Sequence, residues 1–128
     1  MNAWARISLI AGGWLAASTP VRAELPETTE GLLVAALEAN AAGQCPASLM
    51  AFVLQSECER NLPTLSALLK RLGPIQSVDF QGTDSLPNGP AEVFKVTFAN
   101  GDMTFIINTQ DDGRAMSLVS PDPPHWRK

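Results

Sequence analysis

The two cysteines, Cys45 and Cys58, are the residues whose type and spacing point most directly to chemistry. In an exported protein with exactly two cysteines, a disulfide is the default expectation. A straight helix over residues 46–57 would hold its ends ~18 Å apart, whereas a disulfide needs Cα atoms within about 7 Å. The bond therefore requires this helix to be short or bent, and free or intermolecular thiols stay open as the alternative. A redox-active pair is not predicted, because the spacing is not C-x-x-C.

The other reactive side chains fit structural roles. His125 is the single histidine and lies in a proline-rich C-terminal segment, without a nearby nucleophile. The serines lack the G-x-S-x-G context of a hydrolase nucleophile. Asp111 and Asp112 precede Gly113 and are typical of a turn, and their loop lacks the ligand spacing of a calcium site. We therefore predict no catalytic residue, no metal site and no cofactor.

The N-terminal segment, residues 1–23, has the organisation of a bacterial secretory signal peptide. Arg6 precedes an apolar run over residues 7–17, and Val21 and Ala23 have the small-residue spacing that signal peptidase reads. The run is shorter than the ~20 residues that span a bilayer as a helix. We predict cleavage after Ala23, a periplasmic or secreted mature protein, and no membrane attachment after cleavage.

Length and charge limit the domain count and the partners. At roughly 100–200 residues per domain, this chain of 128 residues holds one domain. We place the domain at residues 24–121, followed by a flexible tail over residues 122–128. The net charge of −4 disfavours a nucleic-acid partner, since such proteins need clustered Lys and Arg to replace counterions.

Helical periodicity marks the first half of the mature chain. One helix is predicted from a cap at Thr28 or Thr29 to a stop at Gly43. A second helix is predicted from Pro46, which suits a first turn. Pro63 marks a joint before a third, leucine-rich helix, and we interpret its leucine stripe as core.

Strand-like alternation follows the helices. Four antiparallel strands are predicted, with a turn-rich loop over residues 84–90 and a two-residue type I′ turn at Asn100 and Gly101. The fold class is α+β, with two or three N-terminal helices packed on one face of a curved four-stranded antiparallel sheet. Asp79 falls on the other face. Six apolar side chains are predicted to share the inner face and to line a binding surface: Phe80, Phe94, Val96, Phe98, Phe105 and Ile107.

Three segments carry a family resemblance: LGPIQSVDFQG, FKVTFANG and DGRAM. They resemble small secreted bacterial domains of the nuclear-transport-factor-2-like superfamily, of the kind also found appended to β-lactamase-type serine hydrolases. The resemblance covers residues 32–121 and implies a cystatin-like cone. Catalytic members of the superfamily use a strand-borne acid with polar donors, commonly tyrosine, inside the cone. This chain has no tyrosine, and its predicted lining is apolar.

Two classes of function follow from these patterns. We predict an exported, non-catalytic binding or interaction domain with an apolar cone or sheet face. Its partner is expected to be a small hydrophobic ligand, another protein, or a second copy of the chain paired through the sheet. The alternative is a small isomerase-like or hydrolase-like enzyme of the same fold, which would need a titratable group inside the cone.

Overall fold

A computed structural model describes residues 25–128. The described chain forms these elements in order: α1 (Thr29–Ala41), α2 (Phe52–Leu72), β1 (Ile75–Leu86), β2 (Gly89–Phe98), β3 (Gly101–Thr109), β4 (Ala115–Val119) and β5 (His125–Trp126). The predicted signal peptide and its cleavage site at Ala23 lie outside the described residues. Within residues 25–128, no helix is long and apolar enough to cross a membrane.

The strands form a meander that confirms the α+β class. They pair antiparallel in the order β1-β2-β3-β4, and β5 pairs with β3 on the same side as β4. Helices α1 and α2 cover the inner face of the curved sheet. The core lies between them, because the leucines of both helices pack on the alternating apolar residues of β2 and β3.

Helix α1 begins and ends where local signals predict. The Oγ1 atom of Thr28 accepts a hydrogen bond of 2.9 Å from the N–H of Gly31, which caps the first turn. Glu30 lies in that first turn, where a negative charge is stabilised by the helix dipole. Gly43 follows the helix with a φ of 84°, a left-handed conformation that glycine adopts without steric cost.

Helix α2 corrects the prediction of separate second and third helices. It runs unbroken over 21 residues with Pro63 inside it. Proline removes one backbone hydrogen bond from a helix interior, but the Pro63 ring lies on the exposed side. On the opposite side, Leu54, Leu69 and Leu72 are all buried, so one apolar stripe continues across the proline. Burial of this stripe outweighs the lost hydrogen bond, and the helix continues.

The disulfide prediction is confirmed. Cys45 and Cys58 are bonded, and their Cα atoms are 6.0 Å apart. A straight helix between the two cysteines would hold them too far apart for a bond, but α2 begins only at Phe52. Residues 46–51 instead form a loop that folds back, and Met50 in this loop forms a parallel β-bridge with Ala115.

The first hairpin is longer than the sequence predicts. Residues 84–90 were expected to form a loop, but β1 extends to Leu86 and pairs it with Gly89. The turn shrinks to Pro87 and Asn88, and Gly89 has a φ of 136°. Glycine permits this backbone and so lets the two strands pair up to the turn.

The second hairpin exists, but its turn is displaced by one residue. Phe98 pairs with Gly101, so the two-residue loop consists of Ala99 and Asn100. Gly101 is the first residue of β3 and is not among the glycines with positive φ, so the type I′ turn at Asn100 and Gly101 was wrong. The loop caps the C-terminal end of helix α2. Asn100 donates from its main-chain N–H to the Leu72 carbonyl and from Nδ2 to the Arg71 carbonyl. These carbonyls would otherwise be unpaired at the helix end.

The C-terminal segment, predicted as a flexible tail over residues 122–128, contains a strand. His125 and Trp126 pair with Asp102 and Gly101 of β3. The Arg71 guanidinium lies 4.5 Å from the centre of the Trp126 ring, a cation–π contact. Proline content alone indicated a loose segment. The partners that bind it lie in α2 and β3, far away in sequence.

Candidate functional site

The six predicted lining residues do not enclose one open surface. Five of them are core residues that helices α1 and α2 cover, and none of the five is more than 4% exposed: Phe94, Val96, Phe98, Phe105 and Ile107. Phe80 differs from them, with 56% of its surface exposed. It lies opposite Phe94 in the β1–β2 ladder, with the two ring centres 5.6 Å apart. Phe80 lies on the edge strand β1, beyond Ile75 and Val78, which are the β1 residues that pack against the core.

A cleft between α2 and the sheet has a more apolar lining than the other large cavities of the described chain. Its volume is about 290 Å³. Its apolar walls come from α2 on one side and from β3 and β4 on the other. The apolar lining residues are Leu37, Met50, Leu54, Leu65, Leu68, Leu69, Met103, Phe105, Leu118 and Val119.

The cleft opens where the sheet has a gap. Strand β4 pairs with β3 only over residues 106–109, and β5 pairs only with Gly101 and Asp102. Residues 103–105 of β3 therefore have no strand beside them on this edge. Met103 and Phe105 face the cleft from this uncovered stretch. Ser120, where the chain leaves β4, donates from Oγ to the Thr104 carbonyl at 2.8 Å and crosses the gap.

The inner end of the cleft is fixed by the disulfide. Cys58 lines the cleft, and its bond to Cys45 ties α2 to the preceding loop. Asn40, which is 1% exposed, donates from Nδ2 to Cys58 Sγ at 3.1 Å and to the Gln44 carbonyl at 2.9 Å. Gln55 donates to the Cys45 carbonyl at 2.9 Å. This wall is thus held by covalent and hydrogen bonds between α1, the loop and α2.

The loop that carries Met50 into the cleft is anchored from the β3–β4 turn. Arg114 donates to the Ala47 carbonyl at 3.2 Å, and its guanidinium forms an ion pair of 2.8 Å with Asp112. The main-chain N–H of Arg114 donates to Asp112 and, together with the Gln110 side chain, holds the pKa of that carboxyl below its usual value. The charged form of Asp112 therefore favours the turn that anchors the loop.

The polar groups of the cleft are few, and they lie among the apolar ones. They are Asn40, Glu57, Asn61 and Ser120, besides the disulfide sulfur. Glu57 is the titratable residue of this lining, and it is exposed on α2. Asn61 lies one turn further along and donates from Nδ2 to the Glu57 main-chain carbonyl at 2.9 Å. An arrangement of apolar walls with a small number of polar groups is typical of small-molecule binding sites.

A second cavity of about 320 Å³ lies at the tip of the first hairpin. There Asn108 donates to Asn88, and Asn88 donates to Ser117, each at 2.7 Å. Asn108 Oδ1 is buried without a hydrogen-bond partner among the described residues. Because that oxygen is almost inaccessible, a ligand in the cavity could not bind to it directly. The cleft beside α2 is therefore the stronger candidate.

Comparison of the chain with protein-family models, curated proteins and solved structures finds no match.

Sequence reasoning missed the cleft, although one signal pointed to it. The leucine stripe of α2 was interpreted as core, yet Leu65 and Leu68 are only half-buried and line the cleft. Glu57 and Asn61 interrupt the same stripe at helical spacing, which places polar groups among the leucines. A stripe with polar interruptions indicates a face that is partly open to solvent.

Proposed function

We propose that this chain is an exported, non-catalytic binding domain that holds a small apolar ligand in the cleft between α2 and the sheet. The observation that carries the proposal is the cleft itself, with leucines on the α2 wall, Met103, Phe105 and Leu118 on the sheet wall, and a gap in the sheet as its mouth. Its volume of about 290 Å³ is close to the lower end of the ~300–1,000 Å³ found for ligand pockets. The ligand is therefore small.

The fixed inner wall supports binding without a large rearrangement. The disulfide and the two hydrogen bonds of Asn40 hold the wall before any ligand arrives. A preformed apolar site avoids the entropic cost of ordering the protein when the ligand binds. Further along α2, Leu65 and Leu68 are half-buried, so a ligand that covers them removes apolar surface from water.

Export is part of the same proposal. The apolar segment over residues 7–17 and the site at Ala23 predict a cleaved leader. The Cys45–Cys58 bond is consistent with it, because disulfides persist in oxidising compartments such as the periplasm or the medium. We also propose that the fold is a cystatin-like cone of the nuclear-transport-factor-2-like superfamily. The helices on one face of a curved antiparallel sheet support this placement.

A fluorescent-probe titration tests the proposed function. The mature protein, residues 24–128, is titrated with N-phenyl-1-naphthylamine, a neutral apolar dye that becomes fluorescent when it leaves water. We expect saturable binding at one site, and displacement of the dye by 1-octanol. The substitution Leu65→Trp adds bulk to the α2 wall of the cleft and should weaken dye binding at least tenfold.

Thr64→Trp is the matched control. Thr64 is exposed on the same helix and does not line the cleft, so a tryptophan there adds the same bulk outside the site. Circular dichroism should show both variants folded. Absence of saturable dye binding, or equal affinities of the two tryptophan variants, would overturn the proposal.

A further inference from the structure

We propose that the occupant of the cleft is an amphiphile with a positively charged head, a primary ammonium group, that binds beside Glu57. This inference rests on the proposed function, because it concerns the polar end of the same ligand. The apolar body fills the space between α2 and the sheet, and the head reaches the exposed rim of α2.

The negative charge of the cleft predicts that the head group of the ligand is positively charged. Glu57 carries the negative charge of the lining, and no Lys or Arg side chain lines the cleft. Among the described residues, Arg114 forms an ion pair with Asp112 and the His125 ring lies 3.6 Å from the Asp102 carboxylate, and neither contact involves Glu57. Arg60, three residues further along α2, neither lines the cleft nor pairs with Glu57. A cationic head therefore finds a carboxylate that no cation of the described chain neutralises.

The hydrogen-bonding groups of the cleft favour a donor-rich head for a separate reason. The Ser120 hydroxyl donates to two main-chain carbonyls, that of Thr104 at 2.8 Å and that of Asp122 at 3.0 Å. Asn61, beside Glu57 on α2, donates from Nδ2 to the Glu57 main-chain carbonyl at 2.9 Å. The rim thus offers mainly oxygen acceptors, which match the three N–H donors of an ammonium group.

An anionic head is disfavoured by the same two observations. A carboxylate or phosphate would place a like charge beside Glu57 and would find few free donors at the rim. The protein as a whole also carries a net charge of −4, which lowers the local concentration of anions. Fatty acids and anionic lipids are therefore poor occupants, although their apolar chains would fit the walls.

Competition among three eight-carbon ligands tests the sign of the head. Octylammonium, 1-octanol and octanoate have the same chain, and at pH 7 the first is cationic and the last anionic. Each ligand is titrated at low ionic strength into the mature protein that holds N-phenyl-1-naphthylamine, and displacement of the dye gives the affinity. An exposed ion pair predicts that octylammonium binds about twofold to fivefold more tightly than 1-octanol, and that octanoate binds more weakly than 1-octanol. Raising the salt concentration should reduce this difference.

Two variants assign the preference to one carboxylate. Glu57→Gln should bring the affinity ratio of octylammonium to 1-octanol close to one. Glu59→Gln is the matched control, because Glu59 lies about 200° further around α2 and does not line the cleft. It should leave the ratio as it is in the unsubstituted protein.

The outcomes separate the two proposals. If 1-octanol displaces the dye but octylammonium binds no better, or if Glu57→Gln leaves the ratio unchanged, the cationic head is wrong and the apolar cleft stands. If none of the three ligands displaces the dye, the proposed function fails and this inference fails with it.

Discussion

Asn40 Nδ2 donates a hydrogen bond to Cys58 Sγ across 3.1 Å and so joins α1 to the disulfide on α2. The same nitrogen also donates to the Gln44 carbonyl in the segment that follows α1. A single buried amide thus connects both helices and the loop at the inner end of the cleft. The wall that a ligand would meet depends on this residue as much as on the disulfide.

Replacing Asn40 with alanine should destabilise the protein by about 2 kcal/mol, because this buried side chain loses a buried hydrogen bond to Cys58 Sγ and a partly buried one to the Gln44 carbonyl. Urea unfolding followed by circular dichroism measures the change. Asn61→Ala is the control, since Asn61 is exposed and makes one local bond to its own helix. We expect that control to cost less than about 0.5 kcal/mol. Equal costs for the two variants would show that Asn40 does not hold the wall.

The disulfide should stabilise the fold mainly by constraining the unfolded chain. The two cysteines are separated by 13 residues, and a loop of this length is worth about 3 kcal/mol in the chain-entropy estimate. The double variant Cys45→Ala, Cys58→Ala should lose about that amount in urea unfolding. Alkylation of the folded, oxidised protein without reductant should label neither cysteine. Two labelled thiols would contradict the bond.

Gly101 should be sensitive to substitution because of a neighbouring strand and not because of its turn. A Cβ atom at this position would lie 2.6 Å from the His125 carbonyl oxygen and 3.2 Å from Trp126 Cα. Gly101→Ala should therefore cost more than about 1 kcal/mol, since overpacking forces the backbone to shift.

A truncation tests that cause. In a chain that ends at Pro124, His125 and Trp126 are absent and the clash with β5 is gone. Gly101→Ala should then cost clearly less than in the full chain, which is a coupling that a double-mutant cycle measures. An equal cost in both chains would show that β5 is not the cause and would assign the sensitivity to the Leu72 side chain, whose Cδ2 lies 3.2 Å from the same Cβ position.

Pro63→Ala should stabilise the protein. Alanine restores the backbone N–H that can donate to the Glu59 carbonyl four residues earlier, and proline in a helix interior costs about 3 kcal/mol relative to alanine. Because Pro63 is exposed, its ring contributes little packing that alanine would lose. We expect a gain of about 1–3 kcal/mol in urea unfolding. A loss of stability would show that α2 uses the proline as a bend.

Local signals predicted the elements whose causes lie within a few residues. The Thr28 cap, the glycine after α1 and the alternation of Phe94, Val96 and Phe98 each correspond to an observed feature. These signals depend on neighbours along the chain, and no distant contact overrides them here.

The predictions that were wrong failed because of contacts between residues that are far apart in the sequence. The prediction of a joint between two helices at Pro63 was wrong, because the apolar stripe of α2 is buried against the sheet and local sequence does not show this burial. The turn moved to Ala99 and Asn100 because Asn100 pairs with carbonyls at the end of α2. The cleft itself arises from the gap between β4 and β5, which strand propensities do not indicate.

The most direct test of an apolar ligand site between α2 and the sheet is methyl-resolved NMR of the mature protein titrated with 1-octanol. We predict that the methyl resonances of Leu65, Leu118 and Met103, which belong to α2, β4 and β3, shift together with one saturation curve. Val93 and Ile106 lie opposite each other in the β2–β3 ladder and do not line the cleft. Their methyl resonances should not shift. Shifts at Val93 and Ile106 without shifts at the three cleft residues, or no shifts at all, would contradict an apolar ligand site between α2 and the sheet.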